Sequence, residues 1–273
     1  MSTPIVREVP LEHLSSLSAA YALEGEPLLV RGAVLSWPAR SFWTFDNLRR
    51  QHGQVPIRIR EIDDAVEDLR RGRPRRYTHL GELLEQAASV RAEANERVGY
   101  FTTGDCPMDA GPDAPQEQPP EWRELWHSRF RQDFPFPRLP GARAMMRIWI
   151  GGAGQISTLH NDRYVGAVAQ LVGQKRWWIA PPQAWERLYV RCHSEDFWYA
   201  EVNPYKRWDA LLHPRFGEVQ GIEFTLMEGD LLLLPARWWH AVKAVSASIA
   251  VTMFQDLPGL SPFQPLSSSA AQV

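Results

Sequence analysis

Cysteine is nearly absent: Cys106 and Cys192 are the only two among 273 residues. That excludes a disulfide scaffold or a cysteine-based zinc cluster, and the expectation is a reducing, cytoplasmic setting. Neither sign of charge dominates. Thirty basic against 32 acidic residues leave a formal charge of −2, so no DNA partner is expected from phosphate neutralisation. Long hydrophobic runs are missing too. The longest aliphatic stretch, Leu231 to Leu234, falls far short of the roughly 20 residues that span a bilayer, so no membrane partner is expected. The first residues, MSTPIVREVPLEHL, carry charge where a signal peptide needs an apolar run. No repeat of solenoid type is visible. What the chain does have is 44% hydrophobic residues, enough for a sizeable core.

The N-terminal part mixes elements. Glu8 to Tyr21 reads as an amphipathic helix, and Pro27 to Gly32 as a buried strand. A helix is expected over Phe45 to His52, with Gly53 at its C-terminal cap, followed by a strand over Val55 to Ile59. Thr78 opens a third helix, and Val98 to Phe101 reads as a strand. The Pro- and Gly-rich segment Thr103 to Pro120 reads as an irregular surface loop, a candidate lid. From Arg143 the texture changes to eight strand-sized runs: MMRIWIGG, QISTLHND, YVGAVAQLVG, KRWWIAPP, IEFTLMEG, DLLLLPA, WWHAVKAV and SIAVTMFQ. This pattern predicts a mainly β (α+β) protein with an antiparallel roll, sandwich or barrel. The expected organisation is an N-terminal region over 1–142 packed on the barrel, a core over 143–256 with an irregular insertion at 183–221, and a tail over 257–273. No helical pair for dimerisation is visible, which suggests a monomer or weak homodimer.

The triplet His160-x-Asp162 is the first candidate for chemistry. On a strand, residues i and i+2 share a face, so the two residues converge. Polar groups in an apolar strand are costly unless satisfied, and a metal satisfies an imidazole and a carboxylate together. A histidine from a later strand would complete a 2-His-1-carboxylate site, and His240 in GDLLLLPARWWHAV is the candidate. Such a triad leaves three positions open, as in non-haem Fe(II) oxygenases, with zinc hydrolases as the competing use. The pair His193-x-Glu195 has the same residue types but lies in the insertion and reads as a surface pair. Lys175, at the start of KRWWIAPP, is a candidate second binding group for an organic co-substrate, although its spacing alone favours a solvated strand-end lysine in a Lys-Arg pair.

The ordered motifs STLHNDRYVGAVAQLVGQKRWWIAPP, EVNPYKRWD, EGDLLLLPARWWHAV and SIAVTMFQ resemble the JmjC (cupin-like) Fe(II)- and 2-oxoglutarate-dependent hydroxylases over about Pro27 to Gln255. The resemblance implies a double-stranded β-helix (jelly-roll) core with the N-terminal helices and strands packed on it. It implies that His160, Asp162 and His240 hold Fe(II), and that Lys175 pairs with the distal carboxylate of 2-oxoglutarate beside the hydroxyls of Tyr100 and Ser157. Thr158 is the alternative hydroxyl. Where the family often has asparagines near the cofactor, this sequence offers Thr252 and Gly166, the latter enlarging the cavity. Dioxygen is the other co-substrate, a protein or peptide side chain the expected substrate, and succinate the expected product. A small metabolite, a modified RNA nucleoside and a non-catalytic metal-binding cupin are the alternatives. Arg147, Arg163, Tyr164, Arg237 and Trp238 flank the expected metal strands as candidate substrate contacts, with packing residues as the equal alternative.

Overall fold

The computed structural model describes residues 6–10, 12, 25–60, 76–89, 99–102, 106–107, 122, 129, 132–194 and 197–258. The N-terminal elements are β1 (Arg7–Glu8), β2 (Leu28–Val30), α1 (Ala39–Phe42), α2 (Phe45–His52), β3 (Pro56–Arg60), β4 (Arg76–His79), α3 (Leu80–Ser89), β5 (Tyr100–Thr102) and β6 (Cys106–Pro107). The eight later runs become β7 (Arg143–Gly151), β8 (His160–Asp162), β9 (Val165–Val172), β10 (Lys175–Ala180), β13 (Ile222–Leu226), β14 (Leu231–Leu234), β15 (Trp239–Ala244) and β16 (Ser248–Asp256), with β11 (Val190–Ser194) and β12 (Phe197–Ala200) between them. Two sheets result. One has the order β1-β2-β14-β9-β16-β7-β5-β3-β4, with β6 also on β7, and the other β11-β12-β8-β15-β10-β13. From β7 to β10 and again from β13 to β16 successive strands alternate between the sheets in the manner of a jelly roll, so the fold is the mainly β double-stranded β-helix expected.

Several expectations change. Glu8 does not start a helix: Arg7 and Glu8 pair in parallel with Leu28 and Leu29, and the stretch from residue 13 to Tyr21 lies outside the described residues. Thr78 sits in β4, and the helix begins at Leu80. Its hydroxyl still donates to Glu82, joining the strand to the first turn of α3. Within the expected loop over Thr103 to Pro120, Cys106 and Pro107 pair with Met146 and Met145, while 103–105 and 108–120 lie outside the described residues. The insertion is not irregular throughout, because β11 and β12 form a hairpin whose second strand pairs with β8. His193 therefore lies on a strand, but its side chain and Glu195 fall outside the described residues.

Only the end of QISTLHND is a strand, and the reason is local. Ser157 N–H donates to the Val242 carbonyl at 2.8 Å, but its hydroxyl oxygen, not its carbonyl, accepts from Val242 N–H at 2.8 Å. A side chain replaces a ladder acceptor, so the regular pattern starts only at His160.

Burial explains which strands lack alternation. Ala144, Met146, Ile148 and Ile150 of β7 join Ala169 and Val251 and the N-terminal Leu48, Leu83 and Phe101 in one core. Ile179 of β10 and Leu232 lie in a second cluster with Trp177. Trp178 and Ala180 point the other way, under Phe216 and Ala184 of the insertion. Covered on both faces, β10 reads as a continuous apolar run. Thr44 accepts from Asn47 N–H at 3.2 Å to start α2, and Gly53 ends it, as the capping residues predict.

The β9–β10 turn depends on Gly173, which has φ +72° and leaves no room for a side chain: a Cβ there would lie 2.1 Å from the Ala247 carbonyl oxygen. Left-handed backbone alone costs a non-glycine residue about 1–2 kcal/mol. Gly173→Ala is expected to destabilise by at least about 2 kcal/mol in a denaturant titration, since the opposing atom is backbone and cannot swing aside; an unchanged midpoint would contradict this turn.

Candidate metal centre

Two neighbouring strands of the smaller sheet bring the triad together. His160 of β8 pairs with His240 of β15, and the period of two places Asp162 on the same face as His160. One ligand atom from each of His160, Asp162 and His240 lies within 4.8 Å of the others. The imidazole centroids are 4.3 Å apart, and His240 Nε2 is 3.6 Å from Asp162 Oδ2.

Backbone carbonyls set the tautomers. His160 Nδ1 lies 2.7 Å from Thr158 O and His240 Nδ1 lies 3.0 Å from Trp238 O. Since a carbonyl only accepts, each Nδ1 carries its hydrogen and each Nε2 presents a lone pair. Burial, and then the neighbouring His160, push the His240 imidazole down to about 4 despite Asp162, so it is neutral and ready to ligate at pH 7. The turn before β15 is held by Arg237 N–H, which donates to the Asp162 carbonyl at 2.8 Å. Arg237 adopts φ +67° to do so, a conformation uncommon outside glycine, asparagine and aspartate. Beside His240, Trp177 stacks at 5.8 Å and 25°.

The triad opens into a cavity of about 440 Å³ between the two sheets, lined also by Tyr100, Ser157, Thr158, Lys175 and Thr252. Lys175 is the informative one. It follows the β9–β10 turn and pairs with Ala244, four residues along β15 from His240. It lines the cavity, and burial lowers its ammonium from 10.5 to about 8. Among the described residues no carboxylate pairs with it. A desolvated cation without an anion is costly unless a ligand supplies one. Arg176 points to the opposite face and pairs with Glu223 at 3.4 Å, so it does not substitute for Lys175.

The hydroxyls differ in availability. Ser157 Oγ accepts from Val242 N–H, which leaves its hydrogen to donate. Thr252 Oγ1 accepts from Trp149 Nε1–H at 3.1 Å, and its own hydrogen is likewise left over. Thr158 Oγ1 is buried with no partner among the described residues. Tyr100 stacks on Trp149 at 6.3 Å and 26°. At Gly166 a Cβ would meet nothing closer than Leu234 Cβ at 3.8 Å, so the small residue leaves real space in the wall. Of the expected substrate contacts, Arg147, Tyr164 and Trp238 line the cavity. Arg163 is instead engaged by both oxygens of Asp256, at 2.8 and 2.9 Å. Sequence reasoning missed several lining residues, among them Phe197, 5.2 Å from the His160 ring, and Arg60. Phe197 and Arg60 come from elements whose spatial neighbours have no local sequence signal. No helix among the described residues is long and apolar enough to cross a membrane.

Comparison with known proteins agrees with this geometry. Lysine-specific demethylase JMJ30 of Arabidopsis thaliana is 24% identical over 249 residues, covering 86% of this chain and 51% of that protein. Lysine-specific demethylase 8 of Xenopus tropicalis is 23% identical over 257 residues, with 90% and 52% covered. The bifunctional peptidase and (3S)-lysyl hydroxylase JMJD7 of Homo sapiens is 22% identical over 258 residues, with 85% and 77% covered. The chain thus spans about half the length of the first two. The profile of the cupin-like domain matches residues 15–257, and with these JmjC relatives it identifies the protein as a member of the cupin-like JmjC-domain family.

Proposed function

We propose that the protein is an Fe(II)- and 2-oxoglutarate-dependent oxygenase that hydroxylates an unactivated C–H bond on an amino-acid side chain of a protein or peptide, releasing succinate and CO2. The observation that carries this is the pairing of a His-Asp-His cluster with a cavity-lining Lys175 that no described carboxylate pairs. A zinc hydrolase or a binding module of this fold has no need of the second feature. The donor set fits Fe(II): two neutral imidazoles and one carboxylate, each histidine oriented by a carbonyl. Bound together, Fe(II) and 2-oxoglutarate supply the activation of dioxygen.

The protein's own residues supply geometry, charge and dryness. His160, Asp162 and His240 hold the metal, and Lys175 receives the distal carboxylate of 2-oxoglutarate. Ser157, whose oxygen is already committed as an acceptor, donates its hydrogen to that carboxylate, as does Tyr100 from the facing sheet. Thr252, fixed by Trp149, offers a further hydroxyl to the cofactor. The aromatic wall of Trp177, Trp238 and Phe197 excludes water, which strengthens each of these charged contacts. A chain with two cysteines among 273 residues fits a cytoplasmic setting.

The test is product formation. Protein supplied with Fe(II), 2-oxoglutarate and dioxygen is expected to form succinate, slowly without substrate and faster with one. Absence of succinate with iron-loaded protein would remove the oxygenase reading.

A further inference from the structure

Ser157 exchanges hydrogen bonds with Val242 in an irregular way. Its N–H donates to the Val242 carbonyl, and its hydroxyl oxygen accepts from Val242 N–H, both at 2.8 Å. In a regular antiparallel pair the Ser157 carbonyl would accept from that N–H. Displaced from the ladder, the carbonyl needs another donor, because a buried backbone acceptor left unpaired is costly. Asn203 supplies one: its side-chain Nδ2–H donates to the Ser157 carbonyl at 2.8 Å.

Asn203 belongs to the insertion, 46 residues along the chain from Ser157, and its amide is oriented from both ends. The residue is buried, at 9% exposure. Its Oδ1 accepts from Tyr205 N–H at 3.0 Å and its carbonyl from Lys206 N–H at 3.1 Å, the turn that an Asn-Pro pair favours. With Oδ1 committed to that turn, Nδ2 is the end left for Ser157. The chain leading into the turn is anchored as well. Ala200 N–H donates to the Leu159 carbonyl at 2.8 Å, and Val202 shares a core with Leu159.

We propose that Asn203 is a positioning residue for the co-substrate: by taking the Ser157 carbonyl, it keeps the Ser157 hydroxyl in the ladder with its hydrogen free for the distal carboxylate of 2-oxoglutarate. This rests on the oxygenase reading above and makes it more specific. Ser157 and Val242 both line the cavity. Without Asn203 the freed carbonyl competes for Val242 N–H, the hydroxyl loses the bond that fixes its rotamer, and the carboxylate loses an oriented donor. A merely structural role has a different signature. The next residue, Thr158, orients His160 through its carbonyl at 2.7 Å, so general loosening of this segment weakens metal binding too, whereas the positioning role leaves the metal unaffected.

The test uses the full chain carrying Asn203→Ser, which keeps an acceptor for the turn but is too short to reach Ser157, together with Ser157→Ala and the double variant. Fe(II) affinity is read from metal-induced thermal stabilisation, and 2-oxoglutarate affinity from anaerobic titration of the charge-transfer absorption. The control ligand is 2-oxopentanoate, which has a methyl group in place of the distal carboxylate. Absence of absorption in the wild type defeats the oxygenase reading itself. When it forms, each single variant is expected to bind 2-oxoglutarate at least about 10-fold more weakly, the worth of one hydrogen bond to a charged group. Affinities for Fe(II) and 2-oxopentanoate should stay unchanged. The double variant should bind no more weakly than either single one, since both act through one hydroxyl. Additive losses, an equal loss for both acids, weaker Fe(II) binding in Asn203→Ser, or unchanged 2-oxoglutarate affinity in either single variant would each overturn the assignment. Asn203→Asp takes the place of Asn203→Ser if that variant does not fold: it keeps the shape and the turn acceptor, and its carboxylate offers Ser157 no hydrogen.

Discussion

Asp162→Ala is expected to eliminate metal binding and to lower turnover by at least about 100-fold while the barrel stays folded. Even residues that only orient a metal ligand are worth about 10–100-fold, and Asp162 is itself the sole carboxylate of the triad. The fold should survive because the Asp162 side chain lies at the cavity wall, whereas the bond that anchors the β15 turn comes from its backbone carbonyl to Arg237 N–H. Thermal unfolding separates the two effects. Fe(II) at about 100 times its dissociation constant stabilises the wild type by about 2.7 kcal/mol, and the variant should show no such shift. Metal-dependent stabilisation of the variant equal to that of the wild type would remove Asp162 from the site.

Lys175→Met is expected to act in opposite directions on stability and on co-substrate binding. In the free protein the lysine is a buried cation with no described partner, lowered from 10.5 to about 8 by desolvation. Below pH 8 the group is charged in both states and the full penalty applies, on the order of 3 kcal/mol. Between pH 8 and 10.5 the unfolded state holds the proton that the folded state has released, so unfolding takes up a proton and stability rises with pH. Above that window both states are neutral and the penalty is gone. Methionine keeps the stem without the charge, so the variant should be more stable than the wild type at pH 7 by several degrees, and should lack the rise above pH 8. Affinity for 2-oxoglutarate should fall by roughly 100-fold or more, because a carboxylate buried without its cation costs about 3–5 kcal/mol. Wild-type affinity should itself weaken as pH rises through the lysine value. A variant that is less stable at pH 7 yet binds 2-oxoglutarate normally would contradict both halves.

Much of this arrangement is legible in the sequence because the barrel strands are short, apolar and bounded by turn residues. Glycine or proline falls beside β9, β10 and β14, and the i, i+2 period alone puts His160 and Asp162 on one face. The proximity of His240 is likewise anticipated, since consecutive strands of a roll alternate between sheets and return the last segments beside the first. What escapes is set by long-range partners. The hairpin of β11 and β12 carries VRCHS and FWYA, where mixed polar and aromatic residues obscure a period of two, and it is a strand pair because it extends the edge at β8. QISTLHND looks like one strand, but the Ser157 hydroxyl takes the place of a backbone acceptor, which no periodicity reports. Arg163 resembles a substrate contact by its position next to Asp162, yet Asp256, 93 residues away, holds it.

The central claim is that one cavity holds a metal and an organic acid side by side. It is tested most directly by anaerobic titration with Fe(II) and then 2-oxoglutarate, following the visible charge-transfer absorption that bidentate chelation produces. The account predicts absorption in the wild type and none in His240→Ala, which removes a buried imidazole proposed as one of the three ligands. No absorption in the wild type, or equal absorption in both, would contradict it.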